Sequence, residues 1–400
     1  MGIGSQEQTA FAFEGSIKEF LPIAISNVFL TLVTLGIYRF WATTRERTYL
    51  WSRTRFIDDR FEWTGTAVEL LFGFLIVLAV FGLPFLFLNL LIQGLVFRGQ
   101  GTLIASLGGI IYIALIYLSG VAIFRGQRYR LSRTYWHGIH GGTDQGGWRY
   151  GWSWIWKTVV AYLCVALLFP WSMTSLWKER WKAMSFGSHT FHSAPQWGSL
   201  MGRYLMAYLM PIGFLIALAI IAVPIVMLNN SGGNPAAMGL TLFAFVIAFY
   251  ILLPLAALIY YAAYMREVID TLSISTLEFE FTAKFGDWFK LYLGNTGIAA
   301  LALIPAMVVA SSFGLLAQFA DVKPDENALT SNPFAYVALL AVFIIPLSLI
   351  GPFLRYRKWR FMVSHLEAGG EVNLETLLQS QTREVKQGEG LLDAFDLGAM

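Results

Sequence analysis

Charged side chains are scarce in this sequence. Lys, Arg, Asp and Glu make up 13% of its 400 residues, whereas soluble domains carry about 25%. Hydrophobic residues make up 56% and aromatic residues 16%. A water-soluble fold of this size would lack the polar surface needed to cover itself. The composition therefore favours a membrane protein.

Recognisable chemistry is also lacking. The chain has no Walker A pattern, no GxGxxG opening a helix and no GxSxG elbow. Its one cysteine, Cys164, cannot form an intrachain disulfide. The net charge of +3 is too small to indicate a nucleic-acid partner. We expect no cofactor and no nucleic acid, and the sequence argues against an enzyme.

Charge-free windows mark where the chain can cross a bilayer, because a charged side chain at the centre costs about 2.5 to 3.5 kcal/mol. A crossing helix needs about 20 residues. Two shorter windows, 20–38 and 158–177, cross either fully or only in part. We therefore predict an all-α, polytopic membrane protein with six to eight membrane helices. The windows of sufficient length are 70–97, 99–124, 204–265 (two helices, split by NNSGGNP), 291–320 and 327–354.

The basic residues predict which side is cytoplasmic, since short cytoplasmic loops collect Lys and Arg. If the window at 158–177 does not fully cross, 24 of the 28 Lys and Arg residues fall on one side. That side is expected to face the cytoplasm and to carry the C-terminus. The side of the N-terminus stays open.

An internal repeat is indicated by two constant offsets. At an offset of 268, FAFEGSIKEFLPIAISN from Phe11 matches FEFTAKFGDWFKLYLGN from Phe279 at both Phe positions and the closing Asn. The alternative explanation of such matches is chance, because Trp and Tyr are common at the membrane interface in membrane proteins generally. At an offset of 130, Trp41, Trp51, Phe56 and Phe61 align without gaps onto Trp171, Trp181, Phe186 and Phe191.

The repeat predicts the domain organisation. Each unit holds an amphipathic entry segment, a short helix, a basic aromatic segment and a helical pair, an arrangement typical of transporters. The predicted parts are an N-terminal tail at 1–10, units at 11–124, 125–265 and 266–366 (the last with an extra hairpin), and a cytoplasmic tail at 367–400.

Two segments carry a family resemblance. FEGSIKEFLPIAISNVFLTLVTLGIYRFWATTRERTYLWSRTRFIDDRFEWTG (13–65) and YRLSRTYWHGIHGG (129–142) resemble the YjgN family of bacterial inner-membrane proteins, with TLGIYRFW the most specific run. The resemblance implies a multi-pass inner-membrane location and brings no catalytic residues, since the family has no known function. His137 and His140 depart from it, because Arg is more usual there. A hairpin with the linker DVKPDE also interrupts the last unit.

Basic residues interleaved with aromatic ones are the main binding candidates. Arg can hold a lipid phosphate bidentately while Trp rings sit at headgroup depth. The alternative is that these are ordinary positive-inside loops without a ligand. The candidate lipid or anion ligands are Arg47, Arg53, Arg55, Arg130, Arg133, Trp41, Trp51, Trp171 and Trp181.

Two HxxH pairs are weak metal candidates. His137 with His140, and His189 with His192, would share one face if each pair lay on a helical turn. Neither belongs to an HExxH motif, and the sequence has no CxxC. We therefore expect no metal.

Two functions from different classes remain. The first is binding or transport of a lipid or other amphipathic solute, with membrane lipids as partners. The second is a scaffold that serves protein partners or a homo-oligomer, favoured by the scarcity of intramembrane polar groups. An interfacial transferase using His137 or Asp144 as a base ranks third, because nothing positions a partner for either residue.

Overall fold

The computed structural model describes residues 10–99, 101–230, 235–312, 333–370, 378–380 and 382. Most of them are helical, as predicted, but the prediction of an all-α fold is wrong because short strands assemble a curled sheet. The helices are α1 (Ile17–Val33), α2 (Arg39–Ser52), α3 (Ala67–Val77), α4 (Leu83–Phe97), α5 (Gly101–Ser132), α6 (Trp148–Leu163), α7 (Phe169–Lys182), α8 (Trp197–Asn230), α9 (Pro235–Asp270), α10 (Phe285–Ser312) and α11 (Pro333–Ser364). A π-helical segment, Leu78–Gly82, joins α3 to α4.

The strands are two to five residues long and form two antiparallel sheets. β1, β2 and β3 make the smaller sheet, and the order β11-β10-β9-β8-β7-β6-β5-β4 makes the larger. They are β1 (Phe11–Phe13), β2 (Thr54–Phe56), β3 (Asp59–Arg60), β4 (Glu62–Trp63), β5 (Thr134–Trp136), β6 (Ile139–Gly142), β7 (Ser185–Phe186), β8 (His189–Ser193), β9 (Leu272–Ile274), β10 (Leu277–Phe281) and β11 (Leu366–Gly369).

The two ends of the strand array approach each other. Only Phe61 separates β3 from β4, so the chain passes directly from the smaller sheet into the larger. The first strand, β1, also contacts the last, β11, and the ring centroids of Phe11 and Phe279 lie 6.3 Å apart. The strands therefore curl around a common interior.

Helical pairs alternate with two-residue β-turns along the chain. Four turns join β2 to β3, β5 to β6, β7 to β8 and β9 to β10. The first turn residue has a positive φ in each, from 49° to 57°, as hairpin turns that match the strand twist require. The second helix of each pair runs into the next strand after one or two residues. The first turn residues are Ile57, His137, Gly187 and Ser275.

The two short windows reverse direction instead of forming single helices. α1 and α2 are joined through residues 34–38, and α6 and α7 through residues 164–168. Leu35 has a φ of 51° in the first connection, and Val165, 130 positions later, has a φ of 53° in the second. The offset found in the sequence thus relates two similar helical hairpins. A duplication, with the unit boundaries drawn from it, stays a prediction.

Within the described ranges, three helical stretches are long and apolar enough to cross a membrane: Ser106–Ser132, Trp197–Ile220 and Ile251–Asp270. Two shorter helical stretches, Ala67–Val77 and Phe85–Phe97, are also apolar. The predicted number of six to eight spans stays a prediction, since parts of the windows at 291–320 and 327–354 lie outside the described residues.

Two distant basic segments meet at one end of the molecule. The Arg355 guanidinium contacts the carboxylate of the buried Glu46 at 2.8 Å, and the rings of Trp51 and Trp359 stack with centroids 4.1 Å apart. The segment around Arg45–Arg60 therefore lies beside Arg355–Arg360, close to the sheet.

Candidate functional site: an aromatic cavity

A cavity of about 1120 Å³ lies between the curled sheet and the helix ends that lead into it. Its wall is formed by strand residues such as Phe56 and Phe191 and by residues on α2, α5, α6, α7, α9 and α11. This volume exceeds the usual range for small-molecule pockets, roughly 300 to 1,000 Å³. Six tryptophans face it: Trp51, Trp136, Trp154, Trp177, Trp181 and Trp359.

The helices present regularly spaced side chains to the cavity. Gln127 and Arg130 are three residues apart on α5, so they share one helical face. Trp177, Arg180 and Trp181 have the i, i+3, i+4 spacing on α7 and share another face. Two helix faces therefore bring polar N–H groups into a mainly apolar wall.

The polar lining is rich in donors and carries positive charge. Arg130 and Arg180 line the cavity, whereas no Asp or Glu does so among the described residues. Arg130 lies near Lys358, and burial together with this neighbouring cation lowers the pKa of Lys358. The Arg and Lys side chains in and beside the described part of the wall are therefore cations without an Asp or Glu in the lining itself.

Four buried N–H groups of the cavity wall have no hydrogen-bond partner within the described chain. They are Gln127 Nε2, Trp177 Nε1, Arg180 Nε and Trp181 Nε1. An unpaired buried donor costs about 1 to 3 kcal/mol, so such groups call for an explanation. Other unpaired buried N–H groups, at Trp63, Arg133 Nε and Trp288, lie outside the cavity lining, as do the unpaired oxygens of Ser193 and Asn295.

Arg180 is surrounded by aromatic rings. Its guanidinium lies 5.4 Å from the ring centroid of Trp177, and it acts electrostatically on Tyr150 and Tyr264. Burial raises the pKa of the Tyr150 hydroxyl, and the Arg180 charge opposes that rise. The neighbouring Glu179 is held by Lys157 at 2.7 Å, and Arg180 has no carboxylate partner in the described chain.

Three of the sequence candidates line the cavity: Trp51, Arg130 and Trp181. The indole N–H of Trp51 donates to Thr134 Oγ1 at 2.8 Å. Trp181 packs edge-on against Phe191, with ring centroids 4.8 Å apart. The structure therefore brings these three together although they come from α2, α5 and α7.

Three other candidate arginines form ion pairs with glutamates. Arg53 contacts Glu19 at 3.0 Å, and Arg133 contacts Glu69 at 2.7 Å. Arg55 contacts a third glutamate, Glu14, at 3.2 Å. Arg53 and Arg133 directly precede β2 and β5, and Arg55 lies within β2. Arg47 stacks over Trp63, 5.0 Å from the ring centroid.

The remaining tryptophan candidates lie on the short helical hairpins. Trp41 stacks on Tyr38, with ring centroids 6.2 Å apart, and Trp171 packs against Trp156 at 5.6 Å. Neither lines the cavity. A role for these residues in binding stays a prediction.

The histidine pairs lie on β-hairpins, so the helical spacing considered for them is wrong. His189 and His192 are three apart on β8, which places them on opposite faces of a strand. His137 is a turn residue, and its Nε2 lies 3.0 Å from Asp58 Oδ1. Within the described residues, no group of three or more His, Cys, Asp or Glu side chains could hold a metal ion.

Sequence reasoning missed Gln127 and Arg180. The segment SRT at 52–54 recurs at 132–134, an offset of 80 that marks two equivalent helix-to-strand junctions. This signal locates the cavity end of α5. The spacing of Trp177, Arg180 and Trp181 would similarly have indicated one face of α7.

One family model matches almost the whole chain, over residues 8–394, and its description is a bacterial protein of unknown function, DUF898. No curated protein and no solved structure matches.

Proposed function

The chain belongs to the DUF898 family of bacterial proteins of unknown function, and from that premise we propose that it binds or transports a lipid or other amphipathic solute in the aromatic cavity. The proposal includes a multi-pass inner-membrane location, as the YjgN resemblance implies, and a cytoplasmic C-terminus, as the distribution of Lys and Arg predicts. Three helices of suitable length and composition support a membrane location.

The observation that carries the proposal is the cavity itself. Its wall is mostly aromatic and aliphatic, with fewer polar side chains, of which the arginines Arg130 and Arg180 lie on α5 and α7. Pockets that bind small molecules have this composition, in which apolar surface provides affinity and a few polar groups fix orientation. An amphipathic solute matches both parts of such a wall.

Contact quenching of tryptophan fluorescence tests the proposal. Bromine quenches an indole it touches, and six tryptophans line the cavity. Titration of the full-length protein in detergent with 9,10-dibromostearate should therefore give saturable quenching. A linear response without saturation would reflect partition into the detergent alone and would contradict the proposal.

A cavity-filling variant makes the test specific. Leu131→Phe combined with Leu176→Phe adds bulk to the cavity wall without changing the number of tryptophans. The matched control is Leu86→Phe, at an exposed position on α4. The saturable phase should weaken in the double variant and persist in the control. Equal quenching in both would favour a scaffold role, in which the cavity holds no solute.

A further inference from the structure

We infer that the amphipathic ligand is an anion with a single acidic head group, a fatty carboxylate or a monoalkyl phosphate, and that the head group binds between Gln127 on α5 and Arg180 on α7. The inference rests on the proposed function and specifies its ligand class. Carboxylate and phosphate share the relevant chemistry, several oxygen acceptors with a negative charge.

The hydrogen-bonding inventory of the cavity supports this assignment. The unpaired groups at Gln127, Trp177, Arg180 and Trp181 are all N–H donors. Gln127 is more than nine-tenths buried, with 8% of its surface exposed. In the ligand-free fold water does not reach these atoms, so a ligand bonds to them only when the side chains of the wall turn toward it. A ligand that then satisfies them must offer acceptors, and ionised oxygens accept the strongest hydrogen bonds. A ligand with an ammonium head group would leave these donors unsatisfied.

The charge inventory points in the same direction. Arg180 lines the wall, and among the described lining residues there is no carboxylate beside it. Glu179, the residue next to Arg180, is already engaged by Lys157 and by the Ser153 hydroxyl. Arg180 thus keeps a guanidinium that can pair with a ligand oxyanion.

The apolar lining gives the reason for a hydrocarbon tail. Beyond the donors, the wall consists largely of side chains such as Ile123, Leu272 and Val363 together with aromatic rings. A small inorganic anion would leave this surface in contact with water. Burial of a tail against it provides about 0.8 kcal/mol per CH₂ group. An anionic head group alone is therefore an incomplete ligand.

The test compares a charged probe with its neutral derivative. The full-length protein in detergent is titrated with 9,10-dibromostearate and, separately, with its methyl ester, and saturable tryptophan quenching is recorded. The acid should bind about tenfold more tightly or better, because one charge-assisted hydrogen bond corresponds to that factor. Dibromostearyl phosphate should behave as the acid does.

Two substitutions assign the head-group site. Arg180→Gln should weaken binding of the acid about tenfold or more and leave binding of the ester unchanged, whereas Arg180→Lys should retain part of the preference for the acid. Lys178→Gln is the matched control, because Lys178 is an exposed cation on the same helix. It should change neither affinity.

Gln127→Leu keeps the inference testable if Arg180→Gln fails to fold. Removal of an unpaired buried amide should leave the ligand-free protein as stable as before or more stable, yet weaken binding of the acid. Equal affinity for acid and ester would overturn the anionic assignment while the proposed function stands. Saturable binding of neither probe would overturn both.

Discussion

Gly138 occupies a turn position that only glycine adopts without strain. Its φ is 71°, and no heavy atom lies within 4 Å of the place where a Cβ would stand. Gly138→Ala should therefore destabilise the protein through the backbone alone, by about 1 kcal/mol. The measurement is thermal unfolding in detergent followed by tryptophan fluorescence.

The control for Gly138→Ala is Gly202→Ala. Gly202 lies within α8, and a Cβ added there would also meet no heavy atom within 4 Å outside the helix backbone. Alanine favours a helix interior by about 1 kcal/mol over glycine, so this variant should unfold at a higher temperature. If the unfolding temperature changed in the same direction in both variants, the positive φ assigned to Gly138 in the β5–β6 turn would be contradicted.

Glu14 links the first strand to the β2–β3 hairpin. Its carboxylate pairs with Arg60 and Arg55, and the hydrogen bond from Arg60 is the main cause that holds its pKa below the usual range. A lowered folded-state pKa stabilises the protein above the ordinary pKa of about 4.3, and the effect disappears as the pH falls through the lowered value. Solvent exposure limits the contribution to below about 1 kcal/mol.

Glu14→Gln should therefore lower the unfolding temperature at neutral pH and have a smaller effect as the pH is lowered from about 5 to 3. Glu62→Gln is the control, since Glu62 is an exposed carboxylate on the neighbouring β4. The control keeps both arginine pairs of Glu14 and should therefore lose less stability at neutral pH than Glu14→Gln does. A constant difference for Glu14→Gln at every pH would contradict the proposed linkage.

The sequence alone identifies the candidate arginines, but it does not identify the glutamates with which they form ion pairs. Arg53, Arg55 and Arg133 are recognisable as basic residues among aromatic ones, but their glutamate partners lie 34, 41 and 64 positions earlier. Such pairs depend on strand and helix packing that no local pattern reveals. The same reason hides the presence of Gln127 and Arg180 in the wall of one cavity.

The helical hairpins α1–α2 and α6–α7 end in exposed apolar tips. Leu35 is 94% exposed and Val165 is 69% exposed. α2 contains Arg39, Arg45 and Arg47, so this helix cannot lie along its whole length in hydrocarbon. We expect only the tips to enter the bilayer, from the face that carries the basic segments.

Cys164, at the tip of α6–α7, tests this expectation with a natural thiol. It is exposed in the fold, yet a charged maleimide should fail to label it in inverted membrane vesicles, because hydrocarbon would surround it. Denaturation in SDS should make it reactive. The control is Ser52→Cys combined with Cys164→Ser, because Ser52 is exposed at the opposite end of the α1–α2 hairpin. Equal labelling of both sites in intact vesicles would rule out insertion of the tip.

At the level of elements, long apolar helices are predictable and short strands are not. The windows at 99–124 and 204–265 correspond to α5, α8 and α9 because many residues contribute to each signal. β5 and β7 contain three and two residues, too few to establish a period of two. Their pairing depends on neighbouring hairpins, so the sheet appears only when all the turns are assembled.

The first and last helical pairs, α1–α2 and α10–α11, lie at opposite ends of the sequence but contact each other in the fold. Charge counting places Arg45–Arg60 and Arg355–Arg360 on one side, and in the structure these segments touch. Charge counting cannot reveal that Glu46 is 3% exposed and accepts hydrogen bonds from two nitrogens of Arg355. Asn27 and Arg45 form further hydrogen bonds beside this pair.

The Glu46–Arg355 pair should therefore couple the ends of the fold. Removal of one partner of a buried pair leaves the other charge uncompensated and costs about 3 to 5 kcal/mol, whereas replacement of both by apolar residues costs much less. Glu46→Leu and Arg355→Met should each lower the unfolding temperature in detergent. The double variant should unfold at a higher temperature than Arg355→Met alone, because that single variant leaves the buried Glu46 carboxylate without Arg355, whereas the Arg355 side chain is 32% exposed. If the effects of the single substitutions simply add, the ion pair does not hold α2 and α11 together, and the stack of Trp51 on Trp359 must close the molecule instead.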